Sequence, residues 1–292
     1  MTITIMDGGM GTEIRARLPE PIGPLWATRA LIEQPELVLT AHNEFIEAGA
    51  RLIITCSYSA VPSYLEKEGI AGKYVELTTQ AARIARRAAD ESPHAVQVAG
   101  SLPPLDESYR PDRVWDEARA LPVYENITRA LSGHVDLYLC ETMSTIDEAR
   151  MAATTALSHG NNKPVWVSWT IDETPGAGLR SGESVAAAIR AISDLDVATI
   201  LFNCSHPEAI EAAISEASDL TDLPTGGYAN RLASLPKNWT LRPDAHSPRR
   251  ADIDEAWFAA WGQRCAGLGA KVIGGCCGIS PREIRALADS LS

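Results

Sequence analysis

The chain has 292 residues, 45% apolar and 22% charged, which is ordinary for a soluble globular protein of one large or two small domains. Its 38 acidic and 26 basic residues leave a net charge of −12, which argues against a nucleic-acid or other polyanionic partner. No apolar run approaches the roughly 20 residues needed to span a membrane, and the opening MTITIMDGGMG lacks the basic region and long apolar segment of a signal peptide.

Short β-branched runs alternate with longer amphipathic stretches along the whole chain. The runs are TITIMD (2–7), RLIITCS (51–57), AVQVAGS (95–101), VDLYLCE (135–141), PVWVSWTI (164–171), ATILFNC (198–204), TGGYAN (225–230) and AKVIGGC (270–276). Most are continuously apolar, as parallel strands buried on both faces require; the seventh is the weakest, being short and glycine-rich. Helical patterns over 35–49, 73–91, 114–132, 145–159, 183–194, 207–217, 252–268 and 281–290 follow the strands in turn. The first begins at Pro35 and stops at Gly49, residues suited to those positions. Eight strand–helix pairs predict an α/β fold, a (β/α)8 barrel of the TIM type in one domain over 1–292, with a doubly wound open sheet as the alternative. The longest irregular stretch, 231–252, follows the seventh strand and reads as an active-site loop.

In such a barrel the active site lies at the C-terminal ends of the strands. Those ends carry Asp7, Cys56–Ser57–Tyr58, Ser101, Glu141–Thr142, Thr170, Asn203–Cys204, Tyr228–Asn230 and Cys276–Cys277, so polar and thiol residues collect on one rim. The six cysteines, at 56, 140, 204, 265, 276 and 277, lack the regular spacing of a disulfide framework, which points to free thiols in a reducing, cytoplasmic setting.

Within this set, Gly274–Gly278 reads GGCCG. Two adjacent thiols between glycines fit a strained vicinal disulfide, an inert buried pair, or two ligands of one thiophilic metal. Cys204 ends the sixth strand and Cys276–Cys277 the eighth, two strand spacings or roughly 9–10 Å apart at the backbone. Facing side chains bridge that gap to an ion at about 2.3 Å per Zn–S bond, and three thiolates with an open fourth position describe a catalytic zinc site. Cys140 and Cys265 read as small buried hydrophobes. His206, just before Pro207, suits a helix start or the surface better than a fourth ligand.

With these residues assembled, the chain resembles the homocysteine S-methyltransferase family. The resemblance rests on DGGMGTEI, PLWATRALIEQPELV, EAGARLIITCSY, VAGS, CETM, FNCS, GYAN and GGCCG, spread over nearly the whole length. It implies a (β/α)8 barrel, zinc held by Cys204, Cys276 and Cys277, and methyl transfer to the zinc-bound thiolate of homocysteine to give methionine. It further implies that Asp7 and Glu141 hold the substrate ammonium, while Gly8, Gly9 and Thr12 face its carboxylate. Asn203, beside Cys204, is counted with the substrate-facing residues. PLWATRAL and CSY resemble the branch that uses S-methylmethionine, with Trp26 and Tyr58 offering ring faces to a cationic donor and Trp169 a weaker candidate.

The chain departs from the family pattern at TCSYSA and at GSLPPLDESYRPD (100–112), both expected near the donor, where Asp106 and Glu107 add negative charge. The alternatives are a betaine- or other sulfonium-dependent enzyme, a zinc hydrolase or lyase of barrel fold, and a thiol-based zinc or redox sensor. Both substrates are small molecules, with neither nucleic acid nor membrane as partner.

Overall fold

The computed structural model describes residues 3–18, 25, 27–234, 240 and 248–292. All eight expected strands form: β1 (Thr4–Ile5), β2 (Leu52–Ile54), β3 (Gln97–Leu102), β4 (Leu137–Met143), β5 (Val165–Trp169), β6 (Val197–Asn203), β7 (Thr225–Ala229) and β8 (Val272–Gly275). They pair in parallel in the order β1-β8-β7-β6-β5-β4-β3-β2. A parallel bridge from Met6 to Leu52 and a bond from the Asp7 amide to the Leu52 carbonyl, 3.0 Å, join β1 to β2 and close the ring. The fold is the (β/α)8 barrel, not the open sheet.

The continuous apolar character of the strands has its cause in two apolar layers. Met6, Leu52, Leu137, Leu139, Leu201 and Val272 pack inside the ring, so the barrel is a filled core and not a pore. A larger layer lies between the strands and the helices around them.

The described residues form eleven α-helices: α1 (Met10–Arg15), α2 (Ala27–Glu33), α3 (Pro35–Glu47), α4 (Pro62–Glu66), α5 (Tyr74–Glu91), α6 (Glu117–Leu131), α7 (Ile146–His159), α8 (Val185–Ala191), α9 (Pro207–Ser218), α10 (Glu255–Gly267) and α11 (Pro281–Ser290). Eight are those read from the sequence, and α1, α2 and α4 are additional short pieces. Side chains of Asp116, Thr145, Ser184, Asp254 and Ser280 cap α6, α7, α8, α10 and α11 by accepting a first-turn N–H. Gly49, at φ +113°, turns the chain out of α3 in a conformation closed to most residues. Among the described residues no helix is long and apolar enough to cross a membrane.

Strand β7 shows why a weak sequence signal still makes a strand. A Cβ on Gly226 would overlap the Val272 carbonyl of β8, and one on Gly227 would overlap the Ile210 side chain of α9. The glycines that lower strand propensity are required by the close approach of neighbouring elements. Gly226→Ala is therefore expected to destabilise the fold by about 1–3 kcal/mol or more. Gly133→Ala, where the added carbon meets nothing within 4 Å, should stay within about 0.5 kcal/mol of the parent. Urea unfolding of the two variants checks both.

Candidate active site

A cavity of about 600 Å³ opens at the C-terminal ends of the strands. Its wall takes residues from the ends of β1, β2, β4, β6, β7 and β8 and from the loop after β3. The only ionisable acids and bases on it besides thiols and phenols are Asp7, Glu141, Arg15 and Arg249, counted among the described residues.

The thiols converge. One sulfur from each of Cys204, Cys276 and Cys277 lies within 4.8 Å of the other two, and Cys204 Sγ is 3.5 Å from Cys277 Sγ. Ligands of a tetrahedral zinc at about 2.3 Å sit roughly 3.8 Å apart, so the donor set and its spacing fit Zn2+. The backbone enforces this. The Cys204 amide donates to the Tyr228 carbonyl at 3.0 Å, and the Cys276 amide to the Ala229 carbonyl at 2.7 Å, so adjacent carbonyls of β7 hold both ends of the cluster. Cys204 sits at φ +48°, a left-handed conformation that costs a non-glycine residue about 1–3 kcal/mol and persists where the surroundings impose it. Opposite, Gly9 leaves room for the thiol loop, because a Cβ there would be 2.8 Å from the Cys276 carbonyl oxygen.

Burial opposes ionisation of Cys204, but hydrogen bonds from Cys276, Cys277 and Tyr109 outweigh it and hold this thiol well below the usual value. Cys276 and Cys277 are raised, first by hydrogen bonding to the Cys204 sulfur. The hydrogen bonding among the three thus favours negative charge on Cys204 over its two neighbours. Cys140 and Cys265 are fully buried in the outer apolar layer, away from the cluster. Cys56 borders the cavity, where burial and then the Asp7 charge push its thiol up to about 12.

Two carboxylates lie beside the thiols, Asp7 only 1% and Glu141 5% exposed. Asp7 Oδ2 accepts the Ile54 amide at 2.9 Å, while Oδ1 has no partner among the described residues. Glu141 accepts from Ser101 Oγ at 2.5 Å and from the Tyr228 hydroxyl at 3.2 Å. Burial raises Asp7 well above the usual carboxylate range, with a smaller push from Glu141. Burial likewise brings Glu141 to about 7, against the opposing effect of its two hydroxyl donors. Two desolvated acids with an orphaned oxygen make a receptor for a cation that donates hydrogen bonds.

The other expected residues divide. Gly8, Gly9, Thr12 and Tyr58 line the cavity. Thr12 Oγ1 accepts the Gly278 amide at 3.2 Å, and the Tyr58 hydroxyl is 2.6 Å from Ser108 Oγ. Asn203 does not line it. Where a substrate contact was expected, its amide oxygen accepts from the Thr142 amide and Ser168 Oγ, and its nitrogen donates to Thr142 Oγ1, all at 2.7–2.9 Å. It braces β4, β5 and β6 against one another.

Trp26 lies outside the described residues. Trp169 is fully buried with its ring 6.5 Å from Phe202, away from the cavity wall. Asp106 and Glu107 do not face the cavity either: Asp106 pairs with Arg113 at 3.0 Å and Glu107 with Lys67 at 3.2 Å. His206 precedes α9, with Nε2 3.8 Å from Glu173, outside the thiol cluster. Of loop 231–252, residues 235–239 and 241–247 lie outside the described set. Its base forms an antiparallel bridge between Leu232 and Arg249, both on the cavity wall.

Sequence reading missed Tyr109, whose hydroxyl donates to Cys204 Sγ at 2.8 Å. It also missed Arg15 and Arg249 as wall residues, and the tasks of Ser101 and Tyr228 in holding Glu141. For Tyr109 the available signal was an aromatic residue in the loop after β3, next to charged residues that drew the attention instead.

With this geometry in view, the comparisons with known proteins agree. The family model for homocysteine S-methyltransferase matches residues 4–291. The Escherichia coli (strain K12) homocysteine S-methyltransferase is 29% identical, over 98% of this chain and 94% of its own. Homocysteine S-methyltransferase 3 of Arabidopsis thaliana is 28% identical over 99% of this chain and 89% of its own. The crystal structure of the homocysteine methyltransferase MmuM from Escherichia coli in metallated form superposes with a TM-score of 0.81 at 26% identity, covering 99% of this chain and 96% of that one. Fold, thiol cluster and full-length match lead to one conclusion: the chain belongs to the homocysteine S-methyltransferase family.

Proposed function

We propose that the chain, acting as a single catalytic domain over 1–292 in the cytoplasm, moves a methyl group from S-methylmethionine to the sulfur of L-homocysteine, giving methionine. The observation that carries this is the convergence of three sulfurs within 4.8 Å of one another beside two buried carboxylates, in a chain of this family. Cys204, Cys276 and Cys277 would hold zinc, which when bound makes a coordinating thiol a thiolate at neutral pH.

Asp7 and Glu141 bind the substrate ammonium, Asp7 through its unpartnered Oδ1. Ser101 and Tyr228 keep the Glu141 carboxylate aimed by donating to one oxygen each. Gly8, Gly9 and Thr12 line the wall on the side of the substrate carboxylate. Tyr58, on the cavity wall, offers an aromatic face to the sulfonium. A sulfonium leaves as a neutral thioether, so displacement needs no general acid, and the chain's task is to keep nucleophile, methyl and leaving sulfur in line.

Serine in place of Cys204, Cys276 or Cys277 is expected to remove most of the zinc and most of the activity, whereas Cys265→Ser keeps both; elemental analysis of purified variants decides. Glu141→Gln should weaken homocysteine binding about 10- to 100-fold, the cost of one charge-assisted hydrogen bond, as measured by calorimetry.

The pH dependence has a definite sign. With Glu141 raised to about 7, its carboxylate is present above that value and lost below it. Homocysteine affinity should therefore fall by up to about tenfold per unit as pH drops below 7. Glu141→Gln should lose the share of this dependence that Glu141 carries, leaving the share due to Asp7, which burial also raises. With homocysteine as acceptor, S-methylmethionine should outpace betaine, and Tyr58→Leu should raise the KM for the sulfonium about 2- to 30-fold at unchanged zinc content. Faster turnover of betaine overturns the donor assignment.

A further inference from the structure

Methyl transfer at a cluster of thiolates raises a question of selectivity. A donor that methylates the substrate sulfur faces three protein sulfurs of the same chemical type. Attack by Cys204 would form an S–CH3 bond at its Sγ and break the S–CH3 bond of the sulfonium, whose electron pair leaves on a neutral thioether. The protein would keep a neutral S-methylcysteine in place of an anionic ligand.

The structure treats Cys204 differently from its partners. Cys204 is buried, whereas Cys276 and Cys277 are partly exposed. It is also the sulfur that accepts a phenol hydrogen bond, from Tyr109 at 2.8 Å. Tyr109 is itself held with unusual firmness. It lies at φ +62° without being glycine, a conformation that persists only where surrounding contacts impose it. The Arg180 guanidinium stands 5.1 Å from the centre of its ring, and that guanidinium pairs with Glu173 at 3.4 Å. Leu232, Cys276 and Cys277 pack around the Tyr109–Cys204 contact. A hydrogen bond to a metal-bound thiolate occupies a lone pair and withdraws charge from the sulfur that would otherwise attack.

We propose that Tyr109 is a positioning residue that fixes Cys204 and damps the nucleophilicity of its sulfur, so that the methyl group goes to the substrate and not to the protein. The Arg180–Glu173 pair keeps the phenol on that sulfur. This rests on the methyl-transfer reading, but its test needs neither homocysteine nor the natural donor.

Zinc-loaded protein is treated with iodomethane, and S-methylation at Cys204 and at Cys276 and Cys277 is followed separately by mass spectrometry. Tyr109→Phe should speed methylation of Cys204 about tenfold, the scale of one hydrogen bond to an ionised acceptor, while Cys276 and Cys277 change by less than about twofold. Tyr124→Phe, which removes a 3.1 Å bond to the Pro103 carbonyl of the same loop, should leave all three rates as in the parent. An unchanged Cys204 rate in Tyr109→Phe overturns the proposal. So does an equal rise at all three cysteines, which marks a general opening of the site. Where Tyr109→Phe fails to fold, Arg180→Gln decides: a smaller rise confined to Cys204 supports the damping role, and no rise refutes it.

Discussion

The backbone of β7 is the constraint on which the site depends. Its Tyr228 and Ala229 carbonyls take the amides of Cys204 and Cys276, so two cysteines 72 positions apart in sequence are placed by consecutive peptide units of a strand between them. Tyr228 does a second task from the same position, since its hydroxyl holds Glu141. One residue thereby ties the thiol side of the cavity to the carboxylate side. The two glycines that make this strand hard to see in the sequence also bring β8 and α9 close enough for the arrangement to exist.

The electrostatics of the cavity follow from burial. Asp7 and Glu141 are desolvated and close enough to repel, and each is left with less hydrogen bonding than a buried carboxylate needs for full charge. A cation that donates hydrogen bonds would relieve both conditions together, through the unpartnered Asp7 Oδ1 first. Asn203 is the contrasting case: Thr142 and Ser168 engage both the oxygen and the nitrogen of its amide, away from the cavity wall.

Much of this was legible in the sequence, and the exceptions have physical reasons. The eight strands were visible because residues buried on both faces give continuous apolar runs, and the longer helices were visible from amphipathic spacing, with Pro35 and Gly49 marking the ends of α3. The thiol cluster followed from placing Cys204 and the GGCCG pair on one rim. Helices α1, α2 and α4, of five to seven residues, are too short for a period of 3.6 to register. Asn203 was misjudged because sequence adjacency to Cys204 says nothing about direction, and successive side chains of a strand alternate in the face they take. Asp106 and Glu107 misled for a related reason. Their charges suggested the cavity, but Arg113 and Lys67 claim them, and the neighbouring Ser108 and Tyr109 reach the wall instead.

The contact between the first and last strands carries a consequence for how the protein comes apart. Gly9 admits the Cys276 carbonyl, Gly9 N–H donates to the Ile279 carbonyl at 2.8 Å, and Thr12 receives the Gly278 amide. The thiol loop is thus wedged against a segment more than 260 positions away in sequence, and it acquires its shape only once the ring has closed. Closing so long a loop is slow, and contacts of that range form late in folding. An ion held by Cys204, Cys276 and Cys277 would bind contacts that form only after closure, so its effect would fall on the rate of opening more than on the rate of folding, as a latch on a ring already shut.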